Sequence, residues 1–444
     1  MAKQRDIFVS GAERNGLQRY RATQLFDLME KFAGYGFNKS HAAAYAVLAY
    51  QTAYMKAHHA AAFMAANLSA VMDDTDKVRQ FRDDAVANGL AVLPPDINAS
   101  GYRFVPVDLK TVRYGLGAVR GTGESAINAI LEARGSGKSA VAFTDLFDFC
   151  RRVDRRVVNR RCIEALVRAG AFDCVEKNRA SLLATVGRAI EAAEQAERQA
   201  SQTSLFGEGE ASPTAGLALV GAAPWDLRQR LTEEKAALGY CLSAHLFSVY
   251  ERELAGFART PLAKLSAAGD RVWIAGVVAS ARIQMTRRGR MMMVVLDDGT
   301  VQLELSVFNE LFEKHRDKLK EDRLLIVQGK VQRDEYIGGL RVTADDLLDL
   351  ASLRARFASQ LLIAMNGKTD ETRNARRLMD MLAPYRTAGE GACPILVHYE
   401  NAGASCDVAL GDAWRVRPDE RLIGELSAWL SPEAVRFQFG ATSP

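Results

Sequence analysis

The residues best suited to chemistry in this chain are glycines and arginines placed to hold a phosphate group. Gly121, Thr122 and Gly123 form a short turn directly after Arg120, and a helical pattern of apolar residues follows. Glycine lets a backbone approach an anion closely, and the N–H groups of the turn and of the next helix can donate to phosphate without reading bases. This is the sequence pattern of a helix-hairpin-helix, so we expect these four residues to bind DNA.

A second group of cations follows in a unit with less glycine. Arg160 and Arg161 begin a helical segment that ends near Gly170, and between Arg151 and Arg168 seven arginines stand against two carboxylates. A charge run is usually a solvated basic helix. Beside a glycine hairpin, phosphate binding by Arg160 and Arg161 is the better interpretation. If Z phosphates are neutralised, affinity for duplex should then fall with salt at a log–log slope of about −0.9Z.

A run of strand patterns covers 272–350 in the order strand, strand, strand, helix, strand, strand. Leu303, Leu305 and Val307 alternate with polar residues, and Asp298-Gly299 is a strong hairpin signal. Five strands with a helix before the fourth fit an OB-fold barrel, whose usual ligand is single-stranded nucleic acid.

The barrel region offers both cations and aromatic rings to such a ligand. Three loop arginines would contact its backbone: Arg287, Arg288 and Arg290. Three rings could stack on bases, although aromatic residues in a small barrel more often belong to its core: Trp273, Phe308 and Tyr336.

A glycine-rich break at 34–36 precedes a long alanine-rich helix. Asn38 or Ser40 can cap this helix, so Lys39 and His41 would stand near its positive amino end, a place that attracts phosphate. A plain corner between two helices is the alternative, because isolated capped turns are common.

Other elements must position these groups. Leu25, Leu28, Met29 and Phe32 have helical spacing, and helices are predicted for most of the first 67 residues. A small strand pair is predicted at 102–104 and 112–116, ahead of the glycine turn. After the barrel, short strands (361–365, 394–399, 407–410) alternate with helices (372–382, 421–430), which indicates a small α/β module.

Composition limits the remaining possibilities. A chain of 444 residues suggests roughly three domains. The 58 Lys and Arg residues nearly balance the 54 Asp and Glu residues, so the net charge indicates little about binding partners. The local distribution of charge matters more. The six cysteines form no C-x-x-C pair and are expected to be reduced core thiols. No secretion signal or apolar span is seen, which predicts a cytoplasmic protein. No catalytic constellation or metal site is expected, since His58 and His59 have no carboxylate at ligand spacing.

The segment 32–66 resembles the end of the fingers region in the alpha subunit of bacterial DNA polymerase III, the C-family replicative polymerase. The segment 234–239 is similar to the part of that family leading into its final domains. The resemblance implies that Lys39, His41 and Tyr45 lie near the triphosphate of the incoming nucleotide, where a cation and an imidazole stabilise charge in phosphoryl transfer. In the intact family member the reaction is template-directed nucleotidyl transfer using Mg²⁺.

Gln202, Leu205 and Phe206 resemble the short peptide with which bacterial replication proteins hold the sliding clamp. They stand between an alanine-rich charged helix and a linker at 208–223. Full burial of the Leu205 or the Phe206 side chain in an apolar groove would stabilise the complex by about 1.5–3 kcal/mol each. Gln202 would fix the register. The alternative is a linker end that packs on its own domain.

The resemblance covers nearly the whole chain and also implies what is absent. The palm domain with its metal-binding aspartates and an N-terminal phosphoesterase-like domain should precede this sequence, so Met1 resembles an internal methionine of a truncated gene. The chain alone is expected to be inactive. Its implied partners are double- and single-stranded DNA, the beta sliding clamp, the tau subunit of the clamp loader and other holoenzyme subunits. A free-standing accessory module that binds DNA and clamp is the alternative. The error-prone branch of the family is disfavoured by the clamp peptide and the extra α/β end.

The resulting expectation is a multidomain α+β protein. Its domains would be the C-terminal part of the fingers (1–70), a tandem helix-hairpin-helix domain (71–200), the clamp peptide and linker (201–224), a helical connector (225–271), an OB-fold barrel (272–352) and a small α/β module that binds tau (353–444).

Overall fold

The computed structural model describes residues 2–33, 39–135, 137, 140–201, 217–258, 260–267, 271–286, 289–333, 339–366, 371–389, 391–401 and 403–440. The chain divides into two compact units. The first contains 1–224 with 236–240, and the second contains 225–235 with 241–444.

Short helices and a small sheet make up the first unit. The helices are α1 (Ala2–Arg14), α2 (Arg19–Ala33), α3 (Lys39–His58), α4 (Ala60–Ala70), α5 (Thr75–Ala87), α6 (Glu124–Arg134), α7 (Leu146–Arg152), α8 (Arg160–Arg168) and α9 (Arg179–Ser201). The strands are β1 (Ala91–Leu93), β2 (Val105–Pro106) and β3 (Thr111–Arg113), in the order β1-β3-β2.

Side-chain caps fix where several of these helices begin. Asp74, Asp145 and Asn159 precede α5, α7 and α8, and each accepts a hydrogen bond from a backbone N–H of the first turn. Such caps satisfy donors that the helix itself leaves unpaired. The second arginine unit therefore begins at a fixed point, with Arg160 and Arg161 in the first turn of α8.

The core of the hairpin region is aromatic and aliphatic. Phe149 packs edge-on against Phe143 and Phe172, with ring centroids 5.0 Å apart in each pair. Ile127 of α6 and Ile163 of α8 are also fully buried. This core joins the helices that carry the two predicted phosphate-binding turns.

The expected strand at 102–104 was wrong. This segment does not pair in the sheet, and β1, which was not predicted, pairs with β3 in parallel instead. The reason is a close backbone approach: the Gly117 N–H donates to the Tyr102 carbonyl at 2.9 Å. A Cβ at Gly115 would lie 2.6 Å from the Arg103 carbonyl carbon, so only glycine allows the contact.

The second half of the chain continues with α10 (Leu227–Leu238), α11 (Ser248–Leu254), β4 (Arg271–Thr286), β5 (Gly289–Asp297), β6 (Gln302–Phe308), α12 (Asn309–His315), β7 (Leu324–Arg333) and β8 (Leu340–Leu348). It ends with α13 (Leu350–Phe357), β9 (Ala358–Asn366), α14 (Glu371–Leu382), β10 (Ile395–Glu400), β11 (Ser405–Ala409), α15 (Glu420–Trp429) and β12 (Val435–Phe439).

The predicted OB-fold is confirmed. β4 to β8 close a barrel in the order β4-β5-β6-β8-β7, with α12 before the fourth strand. Its core holds Ile274, Val294, Leu305 and Val327 at 0% exposure, which is the inward half of the strand alternation. The Asp298-Gly299 hairpin is also confirmed, since Gly299 has φ +83° between β5 and β6.

The predicted α/β module at the end of the chain is confirmed as well. Its sheet has the order β11-β10-β9-β12, with β9 and β10 parallel. α14 and α15 contribute Leu378, Leu382, Leu422 and Leu426 to the core on the sheet. The strand β12 and the helix α13 were not predicted.

The cysteine prediction holds in part. Cys150, Cys162 and Cys393 are buried, and burial raises the pKa of the Cys150 thiol to about 12. Cys174 and Cys406 are exposed, so for these two the expectation of core thiols was wrong. Among the described helices, none has the length and apolar character needed to cross a bilayer.

Candidate nucleic-acid interface

The glycine turn and the second arginine unit lie together. Gly121 has φ +82°, a backbone conformation in which a residue with a side chain is strained. The atom nearest to a Cβ built at Gly121 is Nε of Arg161, at 3.9 Å. The Arg161 guanidinium therefore stands beside the backbone of the first turn. A cation and a glycine backbone at one place form a site for one phosphate.

The amino end of α6 completes this turn. Gly123 is its N-cap residue, has φ −86°, and supplies no side-chain cap to the first-turn N–H groups. Positive φ is thus needed at Gly121 but not at Gly123, where the absence of a side chain keeps the helix end open. The Thr122 hydroxyl donates within the turn, at 2.7 Å to the Val119 carbonyl and 3.0 Å to the Leu116 carbonyl. Thr122 shapes the turn by this bond.

Arg120 makes internal contacts. Its backbone N–H donates to the Ala237 carbonyl at 2.7 Å, and its Nη2 donates to the Thr75 hydroxyl at 2.7 Å. Gly239, with φ +90°, leaves room for both groups, because a Cβ there would lie 2.7 Å from Arg120 Nη2 and from Thr75. Arg120 therefore holds the turn in place through these bonds.

Most arginines of the basic run are paired with carboxylates. Arg151 and Arg152 contact Asp148, Arg155 contacts Glu197, Arg156 contacts Asp154, and Arg160 contacts Glu164 at 2.7 Å. Asp148 keeps a pKa below its usual value: burial would raise it, but hydrogen bonds from Arg151, Thr144 and Arg152 outweigh burial. Within the described ranges, Arg161 has no carboxylate at ion-pair distance. It is therefore the best placed of the run to meet a phosphate.

The three residues predicted near a nucleotide lie on α3. Lys39 is its first residue, and the rings of His41 and Tyr45 are 4.4 Å apart, one turn from each other. All three side chains are exposed, and no residue of α3 is buried. The turn before them, at 34–38, lies outside the described residues.

The barrel places its predicted ligand residues unevenly. Arg290 is exposed at the start of β5, opposite Met285 of β4, whereas Arg287, Arg288 and Tyr336 lie outside the described residues. The Trp273 ring packs against Phe257 and Phe357, with centroids 5.2 and 5.5 Å away, which favours the alternative that Trp273 belongs to a core. Phe308 is 39% exposed at the end of β6 and remains available.

Sequence reasoning missed three charged residues on the outward face of the barrel. Glu304 of β6 lies 3.8 Å from Arg282 of β4 and 3.1 Å from Arg341 of β8. Glu304 alternates with buried Leu303 and Leu305, so its outward direction could have been read from the sequence. Its partners depend on strand register and could not.

One predicted feature, the clamp peptide, cannot be placed in the structure. Gln202, Leu205 and Phe206 lie outside the described residues, directly after the end of α9 at Ser201. For metals, the described ranges contain no group of three or more His, Cys, Asp or Glu residues that could hold an ion. His58 instead packs on Tyr54, with ring centroids 4.3 Å apart.

Comparison with protein families matches three parts of the chain. A helix-hairpin-helix motif model matches residues 89–182, and an OB-fold nucleic acid binding domain model matches residues 272–350. A model of the DNA polymerase III subunit alpha C-terminal domain matches residues 377–430. These ranges contain the glycine turn, nearly all of the closed barrel and part of the α/β module.

Curated relatives extend the similarity to the whole chain. DNA polymerase III subunit alpha of Neisseria meningitidis serogroup A is 42% identical over 98% of this chain. The subunits of Escherichia coli K12 and Vibrio cholerae are each 39% identical over 99% of it. In all three cases the chain spans 38% of the relative's length.

Proposed function

We infer from this similarity, which joins nearly the whole chain to the C-terminal portion of DNA polymerase III alpha subunits, that the chain is the DNA-binding and clamp-tethering part of a cytoplasmic replicative polymerase. The intact polymerase would catalyse template-directed DNA synthesis with Mg²⁺. This chain would bind the duplex product, guide the single-stranded template and connect the enzyme to its clamp.

The helix-hairpin-helix region would bind the DNA duplex. The observation that carries this assignment is Arg161 beside the positive-φ turn of Gly121, inside a region that matches a helix-hairpin-helix model. Contacts of this kind neutralise phosphates and position the protein without selecting a sequence. This is what a replicative enzyme needs, because its product can have any sequence.

Replacing Arg161 by alanine is expected to weaken duplex binding about tenfold, equally for different sequences, since one charge-assisted phosphate contact is lost. The log–log salt slope should become shallower by about 0.9, the contribution of one phosphate. Fluorescence anisotropy of labelled duplex across a salt series measures both quantities.

The matched control for that experiment is Arg156→Ala, in the same run. Arg156 is 91% exposed and paired with Asp154 at 2.9 Å, so its removal should change the affinity little. Equal losses in both variants would mean that the run acts through net charge alone, and the turn would not be a site.

The barrel would hold the single-stranded template, and the peptide at 202–207 would hold the beta clamp. Even a weak peptide contact raises the effective concentration of the polymerase at the primer end, because the linker keeps the two within reach. Processive synthesis would then result from two modest affinities, that of the barrel for the template and that of the peptide for the clamp.

The α/β module would bind the tau subunit. An apolar cavity of about 370 Å³ lies between α14 and β11, with Leu378, Met379 and Val408 in its wall. Met379 and Val408 are nearly half exposed. An exposed apolar surface of this kind supports a protein-binding role, since soluble proteins rarely leave such patches uncovered.

The isolated chain is expected not to extend a primer, because the part of the family that it resembles is not the palm, which carries the carboxylates that would hold Mg²⁺. Incubation with primed template, nucleotides and Mg²⁺ should give no product, while an intact relative gives full extension under the same conditions. Product that disappears in a Lys39→Ala, His41→Ala variant would contradict this expectation, since the variant controls for a contaminating polymerase.

A further inference from the structure

The outward face of the barrel has an apolar floor. Met291 and Met293 point outward on β5, since Met292 between them and Val294 after them belong to the core. Yet Met291 is only 9% and Met293 only 3% exposed. An outward position on a barrel strand normally faces water, so other side chains must cover this floor.

Strand register shows which side chains provide the cover. Met293 lies opposite Arg282 of β4 on one side and Ser306 of β6 on the other. Ser306 is 4% exposed, and its hydroxyl contacts the Met293 sulfur at 3.5 Å. Met291 lies opposite Gln284 and Phe308. The floor is therefore bordered by a guanidinium on one side and a partly exposed aromatic ring on the other.

Glu304 joins the two guanidinium groups of this face. Its carboxylate lies 3.8 Å from Arg282, whose side chain is 74% exposed, and 3.1 Å from Arg341, whose side chain is 35% exposed. Glu304 itself is one-third exposed. Ion pairs this accessible to water are weak, so a competing anion can displace one partner.

This face thus combines groups that can bind single-stranded nucleic acid with a carboxylate, Glu304, that repels its phosphates. Arginines pair with phosphate as they do with carboxylate, using the same donors. Bases stack on aromatic rings and lie well against polarisable methionines. Glu304 occupies the arginines with a fixed negative charge that would repel a phosphate at the same place.

We propose that Glu304 is a built-in competitor of single-stranded DNA on this face. The strand binds by taking Arg282 and Arg341 from the carboxylate, while its bases lie over Phe308. This inference rests on the proposed role of the barrel as the holder of single-stranded template. The competition keeps affinity low enough for the strand to move through the site.

The test is the affinity of the full chain for labelled oligo(dT), measured by anisotropy for Glu304→Gln and Glu313→Gln. Glu313 is exposed on α12 of the same barrel and is not on the sheet face, so it controls for the change in net charge. Glu304→Gln is expected to bind about three- to tenfold more tightly, because the pair and the repulsion are both removed. Its salt slope should be steeper by about 0.7, one single-strand phosphate.

The outcomes separate the competitor from the role of the barrel. Wild-type binding to oligo(dT) with equal affinities in the two variants, or weaker binding by Glu304→Gln, overturns the competitor and leaves the proposed function standing. No binding to oligo(dT) by wild type or by either variant overturns both. Affinity for duplex should be the same in all three proteins, and an equal gain for duplex would also overturn the competitor.

Discussion

Replacing Leu205 and Phe206 together by alanine is expected to abolish measurable binding of this chain to the beta sliding clamp. Each side chain would contribute about 1.5–3 kcal/mol when fully buried in an apolar groove. Their joint loss then weakens binding by roughly two to four orders of magnitude. Surface plasmon resonance on immobilised clamp measures the change.

Two comparisons make that result specific. Thr203→Ala with Ser204→Ala changes the neighbouring small residues and should retain most of the affinity. Duplex DNA binding by the Leu205, Phe206 variant should equal that of the wild type, since the turn at Gly121 and Arg161 is separate in sequence. Loss of clamp and DNA binding together would count against a separable peptide.

Glu234→Ala is expected to lower the free energy of unfolding by about 3–5 kcal/mol, the cost of removing a buried charged acceptor from its donors. Glu234 is 1% exposed on α10. Its Oε2 accepts from the Leu242 N–H at 3.1 Å and from the Ser243 N–H and hydroxyl at 2.9 Å each. Its Oε1 lies 3.4 Å from Arg230.

Urea denaturation followed by circular dichroism measures this change. The control is Glu251→Ala, an exposed glutamate on α11, whose replacement should alter stability by less than about 0.5 kcal/mol. If Glu234→Ala were as stable as the control, the bonds to 242 and 243 would contribute nothing to the fold, contrary to their burial.

The segment 234–239 shows what sequence could and could not supply. It was recognised only as a resemblance, and the structure gives the physical reasons for its residues. Glu234 fixes the turn that follows α10, and Gly239 leaves space for Arg120 and Thr75. The reason for Gly239 depends on residues distant in the chain, so no local pattern could have revealed it.

The barrel was predictable because its strands alternate and its hairpin has a distinctive turn sequence. The arginine run was not, because its pairing is decided by the tertiary fold. Arg155 contacts Glu197 of α9, while Arg161, later in the run, has no carboxylate at ion-pair distance among the described residues. The packing of Trp273 also depends on the tertiary fold, since the rings that contact it come from outside the barrel strands.

The helix α3 carries a different consequence. Its 20 residues include no buried side chain, so tertiary packing contributes little to keeping it wound. Its alanines favour helix intrinsically, but most of the stability of a helix in a protein comes from packing of one face, and α3 buries none. Amide protons along α3 should therefore exchange with solvent through local fraying, long before those of the barrel strands are released.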